Sequence, residues 1–318
     1  MNILITGCAG FIGYSLTKRL LASNKDNIFG LDNLNTYYSV KLKKKRLSIL
    51  KKYKKFKFFK YDLIHKKKLD KLFKDYKFDI IFHFAAQAGV RYVLSNPEKF
   101  VESNIVGFDN LLNASKKNKY IKKFFYASSS SVYGELNKYP VKENNFLRPK
   151  NIYGLSKKFN EDLVKLNQSN KTKYIGLRLF TVYGEWGRPD MLILKLLKHA
   201  EQKKIFYLNG NGNYWRDFTY INDVVDIIYK LSKTNFKQDQ IYNICNSKPV
   251  HIGKLVKILS KKINFNKIVS SRKNNIEVFK THGCNKKVLK LINKKNFHNC
   301  FGQLDKIINW HNKYKHLI

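Results

Sequence analysis

A glycine-rich turn near the start of the chain constrains the fold more than any other sequence feature. Gly7, Gly10 and Gly13 follow a short apolar run and precede an amphipathic stretch. In such a unit the first glycine permits a tight turn, the second lets backbone amides approach a pyrophosphate, and the third allows close helix–sheet packing. The helix amino terminus then faces the phosphates. The pattern predicts the dinucleotide-binding turn of a Rossmann-type α/β domain.

A carboxylate at the end of the next apolar run extends this prediction. Asp32 lies roughly 20 positions beyond Gly13, where a carboxylate accepts hydrogen bonds from the adenosine ribose hydroxyls. A carboxylate there also repels a 2′-phosphate, so the sequence favours NAD over NADP. The alternative is that Asp32 is a loop residue that caps the following helix.

Short apolar runs alternate with longer amphipathic stretches through the first half of the chain. This alternation predicts βαβ units and a doubly wound parallel sheet with helices on both faces. We assign residues 1–180 to a Rossmann domain, to which 219–246 returns, and 181–318 to a smaller mixed α/β substrate lobe. The predicted strands are Asn2–Thr6, Asn27–Leu31, Phe56–Tyr61, Ile80–Phe84, Lys123–Ser128 and Tyr174–Leu179.

The charge balance is extreme, with 63 basic against 22 acidic residues and a formal net charge of +41. Such an excess is typical of proteins that bind nucleic acid or anionic membranes. Here it is spread along the whole chain, and all but 8 of the basic residues are lysine, the poorer partner for bidentate recognition of phosphate or guanine. Lysine clusters such as Lys43–Lys45 are therefore interpreted as solvated helix faces, and no nucleic-acid partner is expected.

The cysteines and the apolar runs indicate where in the cell the protein is expected to lie and whether it binds a metal. Cys8, Cys245, Cys284 and Cys300 form no CxxC pair and no metal-like spacing with histidine, so free thiols and no metal site are expected. The chain enters a predicted strand at once, which leaves no room for a signal peptide. No apolar stretch approaches a membrane span. We expect a cytoplasmic protein with no membrane partner.

A tyrosine and a lysine four positions apart supply candidate catalytic groups. Tyr153 and Lys157 begin a predicted helix, where this spacing places both side chains on one face. A nearby cation favours phenolate, which would lower the tyrosine pKa towards that of a general base. Ser128–Ser131 ends the preceding strand, at the sheet edge where doubly wound folds bind ligands. One of these serines could hydrogen-bond the reacting hydroxyl or carbonyl, and the others could cap the strand.

Together these motifs resemble the extended short-chain dehydrogenase/reductase family of nucleotide-sugar enzymes. Longer stretches are most similar to the UDP-glucuronate 4-epimerases, an NAD-dependent branch of that family. The resemblance extends from Met1 to about Asn246 and is weaker afterwards. The stretches that carry it are Leu31–Tyr38, His83–Tyr92, Val132–Gly134, Arg178–Gly184, Trp186–Met191 and Arg216–Ile221.

The resemblance implies roles for residues that match the family motifs. Tyr153 would be the general base, Lys157 its electrostatic partner and a ligand of the nicotinamide ribose, and Ser129 a hydrogen-bond partner of the reacting sugar oxygen. Hydride would leave the sugar C4 for tightly held NAD and return to the other face. The implied cofactor-binding set is Gly7, Gly10, Phe11, Ile12, Gly13, Asp32, Asn33, Asp62, Leu63, Ala85, Ala86, Gln87, Asn104, Tyr153 and Lys157.

The implied partner is a UDP-sugar, bound mainly by the second lobe. Arg216 matches the arginine that binds the nucleotide diphosphate, and Thr181 a position that touches the sugar carboxylate. Arg188 would hold that carboxylate; the alternative is that it pairs with Glu185 or Asp190 and stiffens its loop. The implied substrate-binding set is Ser129, Ser130, Arg91, Thr181, Arg188 and Arg216. A homodimer through helices near Val101–Lys117 and Lys157–Asn167 is implied by analogy.

The sequence also departs from the family pattern. Glu185 stands where these epimerases usually have proline, Ile276–Val278 replaces a Gly-Asp-Val motif, and Cys284 replaces an aspartate. The region around these last two positions normally helps to hold the nucleotide.

Other functions stay open at this stage. A UDP-glucose 4-epimerase or a related nucleotide-sugar enzyme is the first alternative, and decarboxylation of a 4-keto uronic acid is a further reaction of the same type of site. A sugar dehydratase is disfavoured, because Ser130 and Ser131 cannot serve as the acid and base of water elimination. A non-catalytic NAD-sensing or RNA-binding Rossmann protein would not need the Tyr153–Lys157 pair.

Overall fold

The structure, a computed structural model, describes residues 1–89, 96–265, 267–271 and 277–318. A seven-stranded parallel sheet in the order β10-β6-β5-β4-β1-β2-β3 forms its centre. This order is that of a Rossmann sheet with one added strand, so the predicted doubly wound fold is confirmed. The strands are β1 (Asn2–Thr6), β2 (Asn27–Leu31), β3 (Phe56–Phe59), β4 (Ile80–His83), β5 (Lys123–Ser129), β6 (Lys173–Leu179), β7 (Thr181–Tyr183), β8 (Phe206–Asn209), β9 (Trp215–Tyr220), β10 (Gln240–Ile244), β11 (Pro249–His251) and β12 (Ile268–Ser271).

Helices cover both faces of the central sheet, because successive strand residues point to opposite sides. Ile3 and Ile5 join an apolar cluster with α1, α2 and α8, whereas Leu4 joins a second cluster with α3 and α5. The helices are α1 (Phe11–Leu21), α2 (Val40–Leu50), α3 (Lys66–Asp75), α4 (Pro97–Phe100), α5 (Gly107–Lys116), α6 (Ile152–Leu166), α7 (Leu192–Glu201), α8 (Ile221–Lys233), α9 (Ile252–Ser260), α10 (Lys286–Ile292) and α11 (Leu304–Tyr314).

The later part of the chain adds two small sheets beside the carboxyl edge of the large one. Strand β9 lies between β7, which is parallel to it, and β11, which is antiparallel. Strands β8 and β12 pair in parallel. The chain also returns to the Rossmann sheet, since β10 pairs with β6 and α8 packs on α1. The division into two domains at residue 180 stays a prediction.

Several details differ from the sequence predictions, and strands β4, β5 and β6 each have one end shifted by a single residue. The helix expected over Val101–Lys117 begins as a π-helix, Val101–Val106, and only then continues as α5. Strand β3 ends at Phe59 rather than Tyr61. Lys43, assigned to a solvated face, is only 5% exposed, because its ammonium turns inward to the carbonyl and side-chain oxygens of Asn35.

Within the described ranges, no helix combines the length and the apolar character that crossing a membrane requires.

Candidate active site

The glycine turn between β1 and α1 is closed so tightly that side chains cannot enter it. Gly7 has a φ of +72°, and a Cβ added there would lie 2.6 Å from the backbone nitrogen of Ala85. A Cβ on Gly13 would lie 2.1 Å from the Gly7 carbonyl oxygen, so helix and turn are in direct backbone contact. Phe11 and Ile12 begin helix α1, which has no acidic residue in its first turn. The amino terminus of this helix faces the cavity described below. Such a terminus attracts an anion.

Asp32 directly follows β2 and lies beside this turn. Its carboxylate accepts hydrogen bonds from the backbone amides of Ala9, at 3.0 Å, and Leu34, at 2.8 Å. Burial raises the pKa of Asp32, and these bonds together with the nearby Lys43 ammonium oppose that rise. The carboxylate thus belongs to the turn and does not cap a helix, because α2 is capped by Ser39.

Two further strand ends meet at the same edge of the sheet. The Asn33 amide donates to the Asp62 carboxylate at 2.7 Å, which ties the end of β2 to the segment after β3, where Leu63 is buried. The side chain of Asn104, on the π-helix, accepts a hydrogen bond from the backbone N–H of Gln87 at 2.8 Å and donates to the backbone carbonyl of Gln87 at 3.0 Å. It also donates to the Ser156 hydroxyl at 3.1 Å. Asn104 therefore braces the turn after β4 against α6.

Tyr153 lies in the first turn of α6, which Asn151 caps by accepting from the Gly154 amide at 2.8 Å. The hydroxyl of Ser129, at the end of β5, lies beside the Tyr153 phenol and lowers its pKa. Burial raises the pKa of Tyr153, while the Ser129 hydroxyl and the charge of Arg188 work against the rise. The expectation that Lys157 would lower the tyrosine pKa is wrong for this structure, in which burial outweighs the neighbouring charges.

Lys157 follows one turn later on α6 and is almost completely buried. Its side chain is 1% exposed, and burial alone lowers its pKa to about 8. Within the part of the chain that the structure describes, the ammonium has no hydrogen-bond partner. A buried donor of this kind is costly unless something satisfies it, and Lys157 borders the large cavity.

A buried ion pair holds α6 against the strand ends. Arg178, on β6, donates to both oxygens of Glu161, with Nε at 2.9 Å and Nη2 at 2.7 Å. The Ser128 hydroxyl donates to the same carboxylate at 2.5 Å. Ser128 thus has a bracing role behind the site, while its neighbour Ser129 faces Tyr153.

Arg188 lies in the loop between β7 and α7 and is held by groups of this chain. Its guanidinium donates to both oxygens of Asp190, at 3.0 Å and 2.5 Å, and Tyr37 donates to the same carboxylate at 2.9 Å. The predicted alternative of an Asp190 ion pair is therefore present. Glu185 does not contribute, because it accepts from the Tyr220 hydroxyl at 2.7 Å instead.

Arg216, on β9, marks the far end of the cavity. Its Nη2 donates to Glu277 at 3.3 Å, and its guanidinium lies over the Tyr214 ring, 5.2 Å from the centroid. Burial lowers the pKa of Arg216, and Glu277 works against that shift. Glu277 is the centre of the stretch that replaces the family's Gly-Asp-Val motif, so an acidic side chain is kept there.

A single cavity of about 1090 Å³ brings most of these residues together. Gln87 and Asn104 do not line it, and Arg91 lies outside the described residues. Sequence reasoning missed Lys43, which lines the cavity beside Asp32; its position within a lysine run concealed it. The predicted residues that line it are Gly7, Gly10, Phe11, Ile12, Gly13, Asp32, Asn33, Asp62, Leu63, Ala85, Ala86, Ser129, Ser130, Tyr153, Lys157, Thr181, Arg188 and Arg216.

The sheet order, the glycine turn and the cavity at the carboxyl edge define the class: an α/β enzyme that binds a dinucleotide. The chain belongs to the NAD dependent epimerase/dehydratase family, whose model matches residues 3–245. It is accordingly an NAD-dependent enzyme, as the resemblance implied.

Comparisons with individual proteins agree with this family. An uncharacterized protein of Methanocaldococcus jannaschii is 43% identical, over 83% of this chain and 81% of its own length. A UDP-glucuronate 4-epimerase of Arabidopsis thaliana is 38% identical over 81% of this chain but only 60% of its own length.

Among solved structures, that of the UDP-glucuronic acid 4-epimerase from Bacillus cereus, in complex with UDP-glucuronic acid and NAD, has a TM-score of 0.90 at 29% identity, covering 98% of this chain and 99% of that one. A UDP-glucose 4-epimerase from Thermotoga maritima has a TM-score of 0.89 at 24% identity, covering 99% and 100%, which shows the common fold.

Proposed function

We propose that the protein is an NAD-dependent 4-epimerase that interconverts UDP-glucuronate and UDP-galacturonate. The observation that carries this proposal is the convergence, in one cavity, of the Tyr153–Ser129 pair, the unpartnered Lys157 ammonium and two arginines. The names of the Arabidopsis and Bacillus relatives support the acidic sugar.

The residues of this chain fit NAD. Gly7 and Gly13 leave no space for side chains, so the turn and the amino terminus of α1 present backbone to the cavity, as a pyrophosphate requires. Asp32 would hold the adenosine ribose, and the orphaned Lys157 ammonium would find its missing acceptors in the nicotinamide ribose hydroxyls. When bound, NAD accepts a hydride from the sugar C4 and returns it to the opposite face.

Tyr153 is proposed as the general base. As phenolate it would take the proton of the C4 hydroxyl, and as phenol it would give that proton back to the C4 oxygen once the 4-keto sugar has turned over. Ser129, whose hydroxyl lies beside the phenol, would donate to the same oxygen. The charge of Arg188 favours the phenolate form and so assists the first proton transfer.

The nucleotide end of the cavity is proposed to lie at Arg216. A guanidinium offers paired donors to the oxygens of a diphosphate. The Tyr214 ring, over which the Arg216 guanidinium lies, helps to fix the orientation of that guanidinium. Helix α7 adds Lys195 and Lys198 to the same cavity lining. Arg91, outside the described residues, keeps its predicted substrate role only as a proposal.

Arg188 and Thr181 are proposed to select the acidic sugar. Both line the cavity with Tyr153, and the pairing of Arg188 with Asp190 sets the guanidinium in a fixed orientation. A sugar carboxylate at C5 would accept from the remaining donors of that fork. Held in this way, the 4-keto acid would be kept from losing CO2.

One observation favours a second candidate, a UDP-glucose 4-epimerase. The Asp190 carboxylate already engages Arg188 through two hydrogen bonds, so this guanidinium carries less free positive charge than an unpaired one. The difference in binding free energy between a sugar carboxylate and a neutral hydroxymethyl group at Arg188 would then be smaller.

The protein is further proposed to form a homodimer through α6 and the π-helix beside it. Leu155, Phe159 and Leu166 lie along one side of α6 and are 56%, 42% and 84% exposed, and Val101 and Val106 on the neighbouring π-helix are 46% and 45% exposed. Apolar side chains at this spacing are suited to a second copy of the same face. We expect Leu155→Glu to yield monomers in sedimentation velocity, whereas Leu291→Glu, at an exposed leucine of α10, should not; dimers of the Leu155 variant would contradict the interface.

The reaction type is tested with UDP-glucuronate that carries deuterium at C4. An internal hydride shuttle predicts UDP-galacturonate with the deuterium still at C4, because the label never reaches solvent. Product whose C4 hydrogen comes from water would contradict the proposal. Mass spectrometry of the separated sugars distinguishes the two outcomes.

A further inference from the structure

Arg46 on α2 is one of the largest side chains that the fold buries completely, with 0% exposure. Its Nη1 donates to the Ala9 carbonyl at 2.8 Å and to the Tyr38 hydroxyl at 2.7 Å. Its Nη2 donates to the carbonyls of Trp186, at 2.5 Å, and Gly187, at 3.0 Å. Burying a cation costs hydration free energy, and carbonyl oxygens compensate this loss only when the hydrogen-bond geometry is good.

These acceptors belong to two different halves of the cavity. Ala9 lies in the glycine turn that faces the cofactor pyrophosphate, whereas Trp186 and Gly187 immediately precede Arg188 at the sugar end. Tyr38 follows Tyr37, which contacts both Arg188 and Asp190. The planar fork of one guanidinium thus joins segments that are far apart in sequence.

Trp186 provides an independent sign that this junction is under constraint. Its φ is +60°, in the left-handed region that tryptophan rarely adopts. Its ring is packed by Tyr14, Trp310 and Tyr314, with centroids 5.5, 5.4 and 4.6 Å away. A left-handed backbone conformation at tryptophan persists only where surrounding contacts hold it in place. The hydrogen bond from Arg46 to the Trp186 carbonyl is one of these contacts.

We propose that Arg46 is a positioning residue that couples the cofactor turn to the sugar-end loop. Through this residue, a ligand that orders one segment also orders the other, so that occupancy of the sugar end slows release of NAD. The coupling between the two equilibrium affinities is reciprocal by linkage. The proposal rests on the proposed function for the identity of the second ligand, a UDP-sugar, whereas the rate of NAD release from the holoenzyme alone is measured without it.

The test follows release of NAD from the purified holoenzyme, with and without saturating UDP-glucuronate. In wild type, UDP-glucuronate should slow release about fivefold or more. Arg46→Lys keeps the charge but loses the fork, so it should release NAD severalfold faster on its own, and UDP-glucuronate should leave its release rate nearly unchanged. Arg19→Lys, an exposed arginine of α1 that lies over Tyr229, is the matched control and should behave as wild type.

Each other outcome has a defined meaning. A folded Arg46→Lys protein with wild-type release and a wild-type effect of UDP-glucuronate overturns the proposal, as does a wild type in which UDP-glucuronate binds without slowing release. If Arg46→Lys does not fold, Tyr38→Phe, which removes one acceptor and keeps the cation, should show an intermediate effect of UDP-glucuronate on release; an unchanged effect overturns the proposal. Absence of UDP-glucuronate binding would instead contradict the proposed function, and faster NAD release by Arg46→Lys would still support the coupling.

Discussion

The proposed cofactor half and the proposed sugar half of the cavity are built on different principles. Around Gly7, Gly13 and Asp32, backbone groups are packed closely and hydrogen-bonded at the adjoining ends of neighbouring strands. At the other half, Arg188 and Arg216 are each paired with a carboxylate of this chain. The glycine turn is therefore held by groups of this chain, and the Lys157 ammonium that borders the same cavity has no hydrogen-bond partner among the described residues. The proposed substrate anions must instead share cations that already have partners.

The largest effect is expected where the two halves meet, at Tyr153. Tyr153→Phe should lower kcat by about two to four orders of magnitude, because only the transferable proton is lost, and should leave UDP-sugar affinity nearly unchanged. Steady-state kinetics and calorimetry measure the two quantities. Tyr120→Phe, at a tyrosine 41% exposed on the surface, is the control. Wild-type turnover by the Tyr153 variant would exclude it as the base.

The next effect concerns the support that both halves share. Glu161→Gln leaves the buried Arg178 cation without its charge partner and should cost about 3–5 kcal/mol of unfolding free energy. Asp162→Asn, at the neighbouring carboxylate that is 40% exposed and pairs with two lysines, should cost less than about 1 kcal/mol. Denaturant titration compares them, and equal losses would show that the buried pair does not hold α6.

A smaller effect tests the packed cofactor half directly. Gly13→Ala forces a methyl group against the Gly7 carbonyl and should cost about 1–3 kcal/mol, with loss of co-purified NAD. Gly302→Ala is a matched control, since a Cβ there meets nothing within 4 Å, and its stability should change by less than about 0.5 kcal/mol. Full NAD retention by the Gly13 variant would contradict the tight turn.

The contrast between the halves also explains what the sequence could predict. The glycine turn, Asp32 and the Tyr153–Lys157 helix follow from local rules, so their placement was accessible from spacing alone. Arg46 was not, because its acceptors at Ala9 and Gly187 come together only in the folded chain. Lys43 was assigned to solvent for a similar reason: a lysine run gives no sign of which member turns inward.

The smallest predicted effect probes the sugar half. Arg188→Ala should reduce kcat/KM for UDP-glucuronate about tenfold, the loss of one charge-assisted hydrogen bond, and should release some CO2 with a pentose product. The stability change should be small, because the Asp190 carboxylate that loses its partner is 35% exposed. An Arg188 variant with unchanged kinetics and no CO2 would leave the arginine with a role only in its loop.

Substrate competition tests whether the sugar half accepts an acidic sugar although its arginines are already paired. Purified protein is given equimolar UDP-glucuronate and UDP-glucose, and the products are separated by ion chromatography. We expect UDP-galacturonate as the dominant product, with little UDP-galactose. Rapid formation of UDP-galactose and no UDP-galacturonate would contradict this expectation and establish the neutral sugar as the substrate.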